Sequence, residues 1–426
     1  MKDESMQHPQ NPDPSSYRWA GTGEAAPRTA DSFPARAFYR WILVGLAGFV
    51  LMAGLYLYLE HRASRQIIYV TPDSALAAVR ADGTGARKLN LAGLAYRTAG
   101  QPQWAPQGGR FASLIELPSG YTLLVAGSSG QRVAQLPLAD SVAPALLPQA
   151  WAPGGDHVVM TSQRAGQTEL QIANLDQQQI VPIEHPLADR HISWHPRQDQ
   201  LLVTTLTEEF TQTIQVVTMD AQERPFIPAD GFQHHSQAAW SPDGRQIAYI
   251  ASASLDSPER PLFVVNANAS SPVKVVADGQ NYLPIWAPRG DLIIFTRYNS
   301  ETNEFMLYRV QPDGEGLAPI GRGLPQEIAM TDPQSVASWS PDRAWMIFQS
   351  LDPSTGQIEL SLARYDGSNP SSLISGLRNG STSIRAIWSP TSRGVLVASN
   401  GQISMRWLSH KEQEVFAQGT FPHWEP

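Results

Sequence analysis

Six of the ten histidines fall in one stretch of this chain: His157, His185, His191, His195, His234 and His235. Imidazole ligates divalent metals and titrates near neutral pH, so such a concentration is the first place to look for chemistry. His191 and His195 have the even spacing that places two side chains on one face of a strand. His234 and His235 stand just before the next tryptophan-containing segment. These four are the candidate metal-binding or acid-sensing residues. No carboxylate is spaced as an obvious third ligand, and no cofactor is expected.

A second constellation is acidic. Glu208 and Glu209, Asp256 and Glu259, Glu301 and Glu304, and then Asp352 recur in four successive segments, offset in part by Arg260 and Arg297. If the fold sets these segments side by side, they form a negative arc that attracts a basic segment of a protein partner. Solvated loops kept charged for solubility are the plainer reading.

Other chemistries are not written here. There is no cysteine, hence no thiol nucleophile, disulfide or thiolate metal site. Gly127-Ser-Ser-Gly130 has the wrong spacing for a nucleophile elbow. Phosphate-binding glycine loops, the His-Glu-x-x-His zinc motif and calcium loops are missing as well. With 31 basic and 39 acidic residues the net charge is −8, which disfavours nucleic acid as a partner. No catalytic residue is assigned and an enzyme is not expected. A lyase- or hydrolase-type site assembled from distant segments would leave no local motif, and stays as an alternative beside a ligand or metal sensor.

The elements that must position these residues are set by a repeat. Trp-x-Pro occurs at Trp104, Trp151, Trp194, Trp240, Trp286, Trp339, Trp388 and Trp424, using eight of the 12 tryptophans. Each of the first seven copies continues with turn formers and an apolar strand, as in Asp243-Gly244 followed by Gln246-Ile-Ala-Tyr-Ile-Ala. A second hairpin follows, with Asp-Gly turns in which glycine tolerates positive φ. Four short strands per period of about 45 residues predict a β-propeller blade. Residues 67–91 lack a first strand and residues 420–426 supply one, so the C-terminal strand is expected to close the ring. The expected fold is all-β: a single propeller over 67–426 of eight blades, with seven as the alternative.

The run Trp-Ser-Pro-Asp-Gly-Arg-x-Ile-Ala-Tyr, residues 240–249, resembles the WD40-like repeat of TolB-type propellers. The resemblance extends over residues 67–426 and implies a fold, not an activity. The best-known member of that family carries an α/β domain before its propeller, where this chain is expected to have a disordered tail and an anchor.

Ahead of the repeats the chain is different. Residues 1–37, with five prolines, read as a disordered tail. Trp41 to Leu59 is a run of 19 uncharged residues that predicts a transmembrane helix over 38–60, joined to the propeller by a stalk at 61–66. Arg28, Arg36 and Arg40 before it, against Arg62 and Arg65 after it, favour a cytoplasmic tail. The expected localisation is therefore a single-pass protein of a prokaryotic inner or plasma membrane, with an extracytoplasmic propeller. The expected role is a protein-interaction or scaffold module of the cell envelope.

Overall fold

A computed structural model describes residues 65–426 except 92, 139–141, 325–335, 352–354, 356, 378–383 and 410–412. The described residues form eight antiparallel sheets, each ordered from an inner strand a to an outer strand d. In blade 5, for example, these are His234–Trp240, Gln246–Ser252, Leu262–Asn266 and Val273–Val276. Strand b there reads as an almost unbroken apolar run, and Ile247, Ala248, Tyr249, Ile250 and Ala251 are all fully buried. A strand covered on both faces needs no polar alternation, because neighbouring blades pack on either side.

Eight apolar clusters fill the gaps, one at each junction between consecutive blades. The eighth joins Leu396 and Ile403 of the last blade to Ile67 and Val79 of the first, so the ring is continuous. Blade 1 takes its inner strand, Thr420–Trp424, from the far end of the chain, paired to Gln66–Val70 with Ile67 opposite Trp424. The alternative of seven blades is excluded.

The recurring tryptophan ends strand a and, in five blades, ties blade to blade. Indole N–H groups of Trp104, Trp151, Trp194, Trp286 and Trp388 donate to carbonyls of the preceding inner strand: His423, Gln103, Gln149, Ala239 and Ser338, at 2.7 to 3.1 Å. The following Ser-Pro-Asp-Gly is a self-contained turn. Ser241 Oγ donates to Asp243 Oδ1 at 2.6 Å and accepts from Gln246 N–H at 3.0 Å, while Asp243 Oδ1 accepts from Arg245 N–H at 3.0 Å. Ser340 and Asp342 repeat the pattern. Gly244 is required there: its φ is +74°, and a Cβ would come within 2.5 Å of His195 Nε2. The repeat motif is thus consumed by blade construction.

Two expectations are corrected. Among the described residues no helix is long and apolar enough to cross a membrane. The transmembrane helix and the single-pass membrane localisation are therefore not carried forward, and the supported fold class is the all-β eight-bladed propeller. The apolar run at 41–59 was their main support, and composition records a preference for lipid without fixing a structure. The tail, the span and residues 61–64 of the stalk lie outside the described residues.

Candidate functional site

Inner strands line the axis of a propeller, and here they are irregular. Bulges interrupt strand a of blade 4 between Leu187 and Ile192, of blade 5 between Ser236 and Ala239, and of blade 6 between Tyr282 and Ile285. Gln149, Gln237 and Leu283 hold positive φ of 59°, 53° and 48° within such stretches. A non-glycine residue in this region costs about 1–3 kcal/mol and persists where neighbours over-determine it. Gln237 shows how: its Oε1 accepts Leu283 N–H of the next blade at 2.9 Å. Bulges re-aim side chains.

In blades 4 to 6 they aim polar groups at the end of the channel that carries the b–c and d–a loops. Asp189 Oδ1 accepts His191 N–H at 2.8 Å, and Thr204, which also bonds Asp189, receives Gln237 N–H at 3.0 Å. Desolvation pushes the Asp189 carboxyl up to about 6, against the pull of these hydrogen bonds and of Arg260. Arg260 is itself buried, and burial lowers its pKa. Its Nη2 reaches Ser236 Oγ at 3.3 Å and its guanidinium lies 4.9 Å from the Tyr282 ring. Asn281 Nδ2 donates to the Arg260 carbonyl at 2.8 Å, and Asn281 Oδ1 accepts Arg297 Nε–H at 2.9 Å. Arg297 is also paired with Asp278 at 3.2 Å.

A folded-state pKa of about 6 for Asp189, above the ordinary 3.8, has a definite sign. The folded protein holds this proton more tightly, so the contribution is favourable below pH 4 and is lost as pH rises through 6. The loss is about 3 kcal/mol. Asp189→Asn keeps the shape without the charge and should raise the urea midpoint at pH 8 more than at pH 4.5. An equal effect at both pH values would dismiss this account.

The candidate histidines do not converge. His191 sits in the blade 4 bulge. His195 lies one residue past Leu187–Trp194, and its Nδ1 accepts the N–H groups of Arg197 and Gln198 at 3.1 and 3.0 Å, capping the a–b turn. His234 Nδ1 accepts Gln212 N–H at 3.2 Å. His235 Nε2 is 3.1 Å from both oxygens of Asp230, which also accepts Tyr249 O–H at 2.7 Å and Phe232 N–H at 2.9 Å. Burial alone would raise the Asp230 carboxyl, but these bonds hold it below the usual range. The network fastens the d–a loop to blade 5. Among the described residues, three metal-ligand atoms come within 4.8 Å of one another at Glu184, His185 and Glu223. There Glu223 already accepts His185 N–H at 3.2 Å and lies 3.0 Å from His185 Nδ1, so its carboxylate is engaged in holding the loop.

The acidic residues are arranged differently. Glu208, Glu209, Asp256, Glu259, Glu301 and Glu304 are all exposed, in or bordering the b–c loops of three consecutive blades. Asp352 lies outside the described residues. Neither Arg260 nor Arg297 offsets this charge in the way the sequence suggests, because the first is turned inward and the second is held by Asp278. Phe210, Leu255 and Ile227 are 68%, 43% and 67% exposed on loops at the same end.

The family profile of the TolB beta propeller domain matches residues 112–392. The chain belongs to the TolB beta propeller family. No curated protein sequence matches it. Among solved structures it is similar to TolB from Acinetobacter baumannii, at 16% identity over 63% of this chain and 67% of that one, with a TM-score of 0.34. It is similar to a eukaryotic initiation factor at 14% identity, over 85% and 98% of the two chains, with a TM-score of 0.51. A prolyl endopeptidase gives 14% identity, 74% and 49% coverage and a TM-score of 0.52. At such identities the likeness concerns the fold alone.

Sequence reasoning passed over Asp189, Arg190, Asp230 and Gln149, and gave Arg260 only the role of offsetting charge. One signal was available: Asp189-Arg190-His191 puts charge into an inner strand where blade 6 has Asn281-Tyr-Leu. In a TolB-type propeller the repeat residues serve the blade, so function is to be sought in such departures from it.

Proposed function

We propose that this propeller is a protein-interaction module whose b–c loops in blades 4 to 6 capture a basic, partly apolar segment of a partner protein. The observation that carries the reading is the coincidence of six exposed carboxylates with exposed Phe210 and Leu255 on those three loops, while the nearby arginines are engaged elsewhere. Loops on a rigid scaffold are the usual place for recognition. Opposite charge accelerates encounter, and apolar contact then holds the complex.

The test is fluorescence anisotropy of the full chain with a labelled peptide alternating lysine and leucine. Affinity should fall about tenfold or more between 50 and 300 mM salt, as exposed charges are screened. Replacing Glu208, Glu209, Glu301 and Glu304 by Lys should abolish binding at low salt without altering the far-UV spectrum. If the quadruple variant binds the peptide as tightly as the parent at 50 mM salt, the docking face is wrong.

A further inference from the structure

A cavity of about 210 Å³ opens into the channel between the inner strands of blades 3 to 6. It lies toward the a–b end, since its walls include Trp194, Trp240 and Trp286, where those strands finish. The acidic loops are at the opposite end, so the cavity is separate from the proposed docking face.

Two side chains in its lining have polar ends that meet no hydrogen-bond partner among the described residues. Arg190 is exposed and, among the described residues, forms neither an ion pair nor a hydrogen bond through its guanidinium. It projects from the blade 4 bulge, which breaks the strand's alternation between Leu187 and Ile192. The Gln149 side chain, likewise exposed, stands at the left-handed position of the blade 3 inner strand. Its carbonyl receives the Trp194 indole N–H at 2.7 Å, and this bond fixes the half-buried indole against blade 3. Pro148 and Pro284 stiffen the wall on either side. The result is a cation, a free carboxamide and an aromatic plane on a backbone held rigid.

We propose that this cavity binds a small monocarboxylate carrying one ring: Arg190 takes the carboxylate, Gln149 bonds a substituent, and the ring lies on Trp194. A guanidinium pairs with a carboxylate through two parallel hydrogen bonds, which fixes orientation as well as charge. An indole face accepts an arene or the apolar face of a pyranose. The volume is below the roughly 300–1,000 Å³ of sites for drug-sized molecules, which restricts the ligand to a single ring.

The probes are 4-hydroxybenzoate and glucuronate, which distinguish an aromatic from a sugar source, with 4-hydroxybenzamide and inorganic phosphate as controls. Binding to the full chain is followed by tryptophan fluorescence and calorimetry. One of the two carboxylates should bind at least tenfold more tightly than either control. Arg190→Gln should weaken it about tenfold or more, with Arg190→Lys recovering part of the loss. Gln149→Ala should weaken it less. Arg190 is exposed, so an unchanged melting temperature will show that the variant folds. Failure of both carboxylates to bind at millimolar concentration overturns the proposal. So does binding that Arg190→Gln leaves untouched, or phosphate binding as tightly as the carboxylates.

Discussion

Truncation after Gln418 lowers the melting temperature by about 10 °C or more and produces oligomers. The missing residues are the inner strand of blade 1, and they are tied to blade 2 and to the adjoining strand Gln66–Val70. Trp104 Nε1–H donates to His423 O at 3.1 Å, Gly109 N–H to Glu425 Oε1 at 3.0 Å, and Glu425 N–H to Gln66 O at 2.8 Å. Trp424 is 5% exposed, and losing a buried tryptophan side chain alone costs about 3–5 kcal/mol. Gln66–Val70 would then present a bare edge with Ile67 and Ile68, fully buried in the intact ring, facing solvent. Such an edge templates pairing with another chain. Calorimetry and light scattering of the truncated protein decide the matter. A monomer that melts with the intact chain refutes closure as a source of stability.

The second large effect is a pH dependence with opposing parts. His423 lies within the closing strand, and burial pushes its pKa down to about 4, with Arg385 adding to the shift and the Trp424 carbonyl opposing it. An unfolded histidine titrates near 6.5, so the unfolded chain binds the proton more readily. Stability is therefore lost as pH falls from 6.5 to 4, by about 3 kcal/mol. Asp189 works in the other direction between pH 4 and 6, because its folded-state pKa is raised. The two largely cancel in the parent protein. Asp189→Asn should uncover a steep loss of stability in acid, whereas His423→Gln should leave a protein that gains stability from pH 6 to 4. Urea midpoints across pH 4 to 7 separate these contributions. Parallel profiles for the two variants would remove the argument.

The architecture was legible because one tryptophan per blade ends strand a, and in five blades its indole also donates across the junction. Ending strand a and donating across the junction needs an indole at a fixed place, so the period survives in the sequence. Eight copies gave the blade number. The polar cluster was not legible, because Asp189, Thr204, Arg260 and Asn281 come from three blades and meet only through bulges that alternation does not announce. Histidine spacing misled for a related reason. His195 lies past the end of its strand, where both ring nitrogens face backbone of a–b turns instead of the channel. The apolar run at Trp41–Leu59 is a signal of composition alone, and the membrane reading built on it did not carry through.

Closure by the last residues also governs how the ring comes to exist. The Gln66–Glu425 hydrogen bond joins positions 359 residues apart. Bringing such distant ends together from an open chain costs roughly 5 kcal/mol of loop entropy. At about 5–20 residues per second of synthesis, the first strand waits on the order of tens of seconds before its partner has been made. Blades 2 to 8 can each form from contiguous sequence as they emerge, but blade 1 cannot. The ring can close only once residues 420–424 have emerged, and until then the nascent protein is an open arc whose first edge must be sheltered.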